Sequence, residues 1–176
     1  MNEKIRELAE KYHAGQFRRG RKRIPYIVHP AAVARTLSEW GEPETSPAIA
    51  MAWGHDLLED TTVSEAEIRD AAGDRVLEGI KLLTRPTTMP KPRYLLCVAA
   101  SGDREALLVK LADRICNTRD FMEGGKTTYA AKYLHWADCV FDAVRALPGT
   151  DRTAVNAAAA RNELDKRLNE LTGSEK

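Results

Sequence analysis

The sequence is poor in cysteine, with three in 176 residues and no CxxC pair among them. Cys97, Cys116 and Cys139 are isolated, so we expect reduced thiols rather than a disulfide framework. Long apolar runs are also missing. No stretch approaches the roughly 20 apolar residues that cross a bilayer, and the charged N-terminus lacks a signal-peptide pattern. We therefore expect a cytoplasmic protein with no membrane partner.

An excess of charge of either sign is absent too, because 27 Lys and Arg balance 26 Asp and Glu to a net charge of +1. This balance argues against a general affinity for nucleic acid. The basic loop at 17–23 is a possible nucleic-acid-binding segment, but it is short. With 43% apolar and 30% charged residues, the chain has the composition of one folded domain. Homo-oligomer formation stays open.

Alternating strand patterns are absent, whereas helical spacing recurs along the whole chain. The sequence therefore predicts a single-domain, all-α helical bundle over residues 1–176, with a core at about 4–145. Pro86, Pro90 and Pro92 argue against regular helix over 85–92. The predicted helices cover about 2–16, 30–41, 47–60, 64–73, 74–84, 93–100, 103–121, 127–146 and 152–171.

The third predicted helix carries an unusual run, His55-Asp56-Leu57-Leu58-Glu59-Asp60. Side chains three and four residues apart are neighbours on a helix, so three carboxylates and one imidazole crowd together. The preceding residues 48–54 are almost wholly apolar, which predicts that this acidic face enters a core-lined cavity. Buried charges need partners, and a divalent cation would supply one.

Two further residues could complete a metal site with His55 and Asp56. His29 begins the second helix, and Asp113 lies in an apolar part of the helix at 103–121. Two imidazoles and two carboxylates suit Mn, Fe, Co or Zn. Taken singly, His29 could cap or pack against its loop, and Asp113 could form an ordinary salt bridge with Lys110 or Arg114.

In order along the chain, His29, His55-Asp56 and Asp113 resemble the H…HD…D signature of the all-α HD-domain metal-dependent phosphohydrolases. The segments at 13–19, 25–30, 55–61 and 109–117 are similar to the hydrolase domain of RelA/SpoT proteins. The short chain, with no synthetase domain, resembles the stand-alone small alarmone hydrolases of animals. The similarity covers about residues 4–145.

This resemblance implies a Mn²⁺-dependent enzyme that removes the 3′-pyrophosphate of guanosine tetra- or pentaphosphate. It implies metal ligands at the four positions above, and a water-handling role for Glu59 and Asp60. The implied substrate-binding residues are Arg18, Arg19, Asn117 and Tyr133. Lys91, in the proline-rich loop, is a further candidate for phosphate binding.

Two alternatives stay open at this point. One is a different HD phosphohydrolase, acting on an adenine alarmone or a nucleoside monophosphate, and the other is a non-catalytic nucleotide sensor. The animal members carry a basic residue where this chain has Tyr129, and the loop at 85–93 is short. Both differences fall where contacts with the base and the phosphates of the nucleotide substrate are expected. The sequence therefore leaves the identity of the base and the number of phosphates open.

Overall fold

Helices make up the regular structure of the part of the chain that this computed structural model describes, residues 2–18, 23–149 and 151–173. Within those ranges there is no strand, only an isolated antiparallel bridge between Phe17 and Pro25. The all-α prediction is therefore confirmed. The helices are α1 Asn2–Tyr12, α2 Val28–Glu39, α3 Pro47–Gly54, α4 Leu57–Asp60, α5 Glu65–Ala72, α6 Asp74–Leu83, α7 Lys91–Ala100, α8 Arg104–Glu123, α9 Thr127–His135, α10 Asp138–Arg145 and α11 Arg152–Gly173.

Local sequence signals account for several helix ends. The Ser46 side chain accepts a hydrogen bond from the Ala48 amide at the start of α3. Ser64 and Glu67 form the predicted capping box of α5. Gly73 ends that helix with a φ of 84°, a backbone region that glycine enters without steric cost. These caps satisfy amide and carbonyl groups that a helix end otherwise leaves unpaired.

The short helix α3 lies at the centre of the fold, packed against α1, α2, α6 and α8. Its residues 48–52 are almost completely buried. Gly79 of α6 faces Met51, and a Cβ atom there would lie 2.3 Å from the Met51 Cε atom, so the two helices approach closely. Consequently α3 delivers the chain that follows it, at His55, directly into the interior.

The prediction of one continuous helix through the acidic run is wrong. Helix α3 ends at Gly54 and α4 begins at Leu57, so His55 and Asp56 occupy the junction between them. In a continuous helix the Asp56 amide would bond to the Ala52 carbonyl oxygen. Here the His55 Nδ1 atom lies 2.7 Å from that oxygen and takes its place. The side chain thus interrupts the helix that sequence spacing predicts.

Three other helix boundaries differ from expectation. The helix predicted at 127–146 is two helices, because the chain turns at Ala137 so that α10 can pack against α7 and α11. Helix α7 begins at Lys91, since Pro92 occupies its first turn, where a proline is tolerated. Helix α1 ends at Tyr12, before the predicted residue 16. Among the described helices, none combines the length and apolar character that a bilayer crossing requires.

Arg104 ties three parts of the fold together outside the acidic run. Its guanidinium lies 3.0 Å from a carboxylate oxygen of Glu42, between α2 and α3, and 3.0 Å from one of Asp151, before α11. Burial raises the pKa of Glu42, but its bonds from Arg104 and Ser46 lower it by more, so the net shift is downward. The bond from Arg104 also lowers the pKa of Asp151.

We expect Arg104→Gln to lower the free energy of unfolding at pH 7 by about 3 kcal/mol, because it leaves the buried Glu42 carboxylate without its counter-ion. A carboxylate whose folded pKa is depressed stabilises the fold above its unfolded pKa of about 4.3, and loses that contribution as the pH falls through the folded pKa. The difference between the two proteins should therefore shrink in acid. Urea unfolding at pH 7 and at about pH 3 measures it, with Arg35→Gln as the control in an exposed pair. A difference independent of pH would contradict the expectation.

Candidate metal centre and substrate site

Three predicted ligands converge in the interior of the fold. His29 comes from the first turn of α2, His55 from the junction after α3, and Asp113 from the middle of α8. One ligand atom from each lies within 4.8 Å of the others, and all three residues are buried. The His29 Nε2 atom lies 3.2 Å from Asp113 Oδ1. The group has the donor types and spacing to hold one divalent transition-metal ion.

His55 is the member whose contacts fit a metal ligand best. Its Nδ1 atom donates to the Ala52 carbonyl oxygen, which directs the lone pair of Nε2 into the site. That Nε2 atom is buried and makes no hydrogen bond within the described residues. Asp56 Oδ2 lies 3.0 Å from it without the alignment of a hydrogen bond. A buried, unpaired nitrogen beside a carboxylate is what a bound cation would satisfy.

Asp56, the fourth predicted ligand, lies at the edge of the group. Its Oδ2 atom is 3.7 Å from His29 Nε2, but it is not part of the mutually close set of three. Tyr26 donates a hydrogen bond of 2.7 Å to this oxygen, and its hydroxyl also lies 3.0 Å from Asp60 Oδ2. Burial and the charge of Asp56 raise the pKa of Tyr26 well above its ordinary value. Tyr26 is therefore a permanent donor to the acidic run.

Asp113 is held on both of its oxygens by residues of its own helix. Lys110 Nζ lies 3.2 Å from Oδ2, and Asn117 Nδ2 donates to Oδ1. Burial raises the pKa of the Asp113 carboxyl, but Lys110 and the His29 contact lower it further, to well below its usual range. Burial has the opposite effect on Lys110 and lowers its pKa, but Tyr94 and Asp113 raise that pKa by more. Both side chains are thus charged in the interior.

Glu59 and Asp60 lie on α4, at the rim beyond the ligands. The Glu59 carboxylate accepts a hydrogen bond of 3.0 Å from the Arg85 amide, in the proline-rich loop before α7. Asp60 is fastened through its carboxylate by Tyr26 and through its backbone carbonyl by Gln16. Both carboxylates are on the exposed side of the group, where water and substrate can reach them.

The predicted substrate-binding residues surround the same group, as far as they are described. Arg18 Nη2 donates to Asn117 Oδ1 and lies 2.6 Å from Asp120 Oδ2, so Asn117 links it to Asp113. Tyr133 is buried on α9, and burial followed by the charge of Asp113 raises its pKa to about 12. Arg19 lies outside the described residues.

Lys91 begins α7 and is exposed at the rim of the site. Its pKa is lowered, by partial burial first and then by the charges of Arg114 and Arg85. The role of Lys91 in phosphate binding stays a prediction. The charge of Glu59 acts on Lys91 in the opposite direction and raises its pKa.

Sequence reasoning missed Tyr26 as a support of the site, and it considered Lys110 only as an ordinary salt-bridge partner of Asp113. Tyr26 lies three residues before His29, and Lys110 three residues before Asp113, so each shares a turn with a predicted ligand. That spacing was a usable signal. The Nδ1 atom of His13 lies 2.8 Å from Gln16 Oε1, and its ring stacks on Tyr26. His13 therefore packs against the ring of Tyr26.

Comparison with known proteins gives the geometry a context. The family model described as HD domain matches residues 6–146. The guanosine-3′,5′-bis(diphosphate) 3′-pyrophosphohydrolase MESH1 of Xenopus tropicalis is 35% identical over 150 residues, covering 81% of this chain and 82% of that protein. The protein of the same name from Homo sapiens is 32% identical over 153 residues, covering 83% and 84%.

Among solved structures, the fold is similar to one described as a metazoan ortholog of SpoT that hydrolyzes ppGpp and plays a role in starvation responses. The two superpose with a TM-score of 0.77 over 97% of this chain and 94% of that chain. Their sequences are 23% identical, so this similarity speaks to the fold. The shared architecture includes nearly the whole described chain.

Proposed function

The chain belongs to the HD domain family, and from that premise we propose that it hydrolyses the 3′-pyrophosphate of ppGpp. Water adds its oxygen to the phosphorus bound to the ribose O3′, the bond between that phosphorus and O3′ breaks, and O3′ takes up a proton to become a hydroxyl. The products are GDP and pyrophosphate, and the pentaphosphate would give GTP. The single observation that carries the proposal is the buried group of His29, His55 and Asp113. It occurs in a chain one third identical to relatives named for this reaction.

The residues present fit a divalent cation, which we propose to be Mn²⁺. His29, His55, Asp56 and Asp113 would hold it, with Tyr26, Lys110 and Asn117 orienting the two carboxylates. Such an ion supplies a low-pKa bound water and shields phosphate charge. The unpaired His55 Nε2 atom and the mixed nitrogen and oxygen donors support this assignment.

Glu59 and Asp60 are the residues we assign to proton handling. Both carboxylates stand at the exposed rim, and each is already positioned by a hydrogen bond. A carboxylate within reach of the attacking water can accept its proton as the water adds to phosphorus. Because Tyr26 contacts both Asp56 and Asp60, it would hold the proposed metal ligand and the proposed proton-handling residue in a fixed relative position.

The substrate carries several negative charges, and the rim offers cations to meet them. Arg18 lies beside Asn117, and Lys91 lies at the start of α7. Arginine grips phosphate oxygens through paired N–H donors, whereas lysine acts as a point charge. We assign both to phosphate binding, with Asn117 and Tyr133 lining the pocket between them. Arg19 is proposed alongside Arg18 on the sequence pattern alone.

The test is a nucleotide panel with purified, Mn²⁺-loaded protein. Equal concentrations of ppGpp, ppApp and dAMP are incubated with the protein, and the products are separated by ion-exchange chromatography. We expect intact pyrophosphate and GDP from ppGpp. Turnover of ppApp or dAMP alone would identify a different HD phosphohydrolase. Binding of ppGpp without any product would favour a nucleotide sensor.

Tyr26→Phe should weaken metal binding and turnover by about ten- to a hundredfold, the usual effect of removing a hydrogen-bonding partner of a metal ligand. The ring stays, so its stacking on His13 is preserved. Tyr12→Phe is a matched control, since Tyr12 donates 2.6 Å to the Glu67 carboxylate away from the site. Mn²⁺ titration and kcat are measured for both variants. Equal losses in the two would mean that the Tyr26 hydroxyl contributes stability alone.

A further inference from the structure

Arg114 is a buried cation outside the H…HD…D signature, and the mechanism above does not use it. It follows Asp113 on α8 and is only 4% exposed. Its Nε and Nη1 atoms are enclosed and make no hydrogen bond within the described residues. No described carboxylate pairs with it, because Asp113 turns instead towards His29 and Lys110. A buried charge without a counter-ion costs several kcal/mol, so its retention calls for an explanation.

The position of the guanidinium is fixed by an aromatic ring. Its central carbon lies 4.3 Å from the centroid of the Tyr133 ring, the geometry of a cation–π contact. This contact orients the plane of the group but satisfies none of its N–H donors. The third nitrogen, Nη2, makes no hydrogen bond within the described residues and is not one of the enclosed, unpaired atoms. Nη2 is therefore the guanidinium nitrogen that is available to a ligand.

Two other cations lie near Arg114, and they differ in how they are paired. Lys110 lies one turn earlier on the same face of α8, and its described ion-pair partner is Asp113. Lys91 feels the charge of Arg114 and also those of Glu59 and Asp113. Asp113 is thus committed to Lys110 and His29, and it leaves Arg114 without a described carboxylate partner. An unpaired cation next to a phosphohydrolase centre is complementary to a polyphosphate.

We infer that Arg114 is a phosphate-binding residue, and that its missing counter-ion is the pyrophosphate group of the substrate and product. This inference rests on the proposed function for the substrate, but the binding it predicts needs only inorganic pyrophosphate. Arg114 forms the inner wall of an anion site whose outer edge is Lys91, and Tyr133 holds the guanidinium plane for it. The role of Tyr133 is thus to position Arg114 as well as to line the pocket.

The test compares wild-type protein with Arg114→Met, which keeps much of the side-chain volume on Tyr133 without the charge, and Arg114→Lys, which keeps the charge without the planar donors. Calorimetric titration of the metal-loaded proteins with inorganic pyrophosphate should show about ten- to a hundredfold weaker binding to Arg114→Met. Arg114→Lys should fall between the two. Arg145→Gln is the control, since Arg145 is an exposed arginine 5.6 Å from the Phe141 ring.

Thermal unfolding separates this role from a structural one. Without pyrophosphate, Arg114→Met should melt at or above the wild-type temperature, because it removes an unpaired buried charge. The KM for ppGpp should rise at least as much as kcat falls. A lower melting temperature with unchanged pyrophosphate affinity would overturn the inference. If wild-type protein binds pyrophosphate through Arg114 but does not hydrolyse ppGpp, the proposed function fails while the anion site stands.

Discussion

Asp113→Asn is expected to abolish stable metal binding and to lower ppGpp hydrolysis by at least about 10³-fold. The carboxylate supplies negative charge to the site from the middle of α8, within 3.2 Å of His29. Metal-assisted charge stabilisation contributes several kcal/mol to such reactions, and each 1.36 kcal/mol is tenfold in rate. Elemental analysis of the purified variant measures the metal, and pyrophosphate release from ppGpp measures the rate.

Stability has to be separated from metal loss in this variant. Asp113 is also the counter-ion of the buried Lys110, and removing one partner of a buried pair costs about 3 to 5 kcal/mol. The double variant Asp113→Asn, Lys110→Met removes the orphaned charge as well. We expect it to regain stability without regaining metal or activity. Asp70→Asn, at an exposed position of α5, is the control. Full activity in the folded double variant would show that Asp113 is not a ligand.

Glu59→Gln should lower kcat by about 10²- to 10⁴-fold while metal content stays at the wild-type level, as expected for loss of a general base. The glutamine oxygen can still accept the hydrogen bond from the Arg85 amide. The substitution therefore removes the basic charge but keeps the tether to the proline-rich loop. Single-turnover measurements of pyrophosphate release, with metal analysis of the same sample, give both quantities.

Asp60→Asn provides the comparison, because its carbonyl oxygen can likewise keep the contact with Tyr26. If Glu59 accepts the proton and Asp60 positions the water, the second variant should lose less activity than the first. Glu65→Gln, on the exposed side of α5, controls for a change of one surface charge. A Glu59→Gln protein with unchanged kcat would remove Glu59 from the mechanism.

Much of this architecture follows from local sequence rules. The capping box at Ser64 and the apolar spacing of α8 depend on neighbours within a few residues, and both are observed where they were predicted. The family resemblance is likewise confirmed by the match over residues 6–146. The order of ligand types along the chain predicted a metal site at His29, His55, Asp56 and Asp113. The structure brings His29, His55 and Asp113 within 4.8 Å of one another, and metal binding by them stays a prediction.

The rest could not be predicted because it depends on contacts between distant segments or on one side-chain conformation. The break after Gly54 arises from a single imidazole bonding to the Ala52 carbonyl oxygen, which no helical periodicity reports. The tether between Glu59 and Arg85 joins residues 26 positions apart. The sequence offered both Lys110 and Arg114 as salt-bridge partners of Asp113, and only the packed structure shows that Lys110 takes that place. Each of these features is visible only once the helices are packed.

The junction between α3 and α4 divides the acidic run into two units of unequal local stability. His55 is fixed to α3, whose residues are almost entirely enclosed by four other helices. Helix α4 has four residues, too few to be stable alone, and is held by the buried Leu57 side chain and by bonds to Gln16, Tyr26 and Arg85 at its exposed end. Segments held by a few exposed contacts open at lower free energy than a buried core, and the end that carries Glu59 and Asp60 is such a segment. The rim that we propose to handle water can therefore open locally while the two histidines stay folded, so the proposed exchange of product does not require release of the proposed metal.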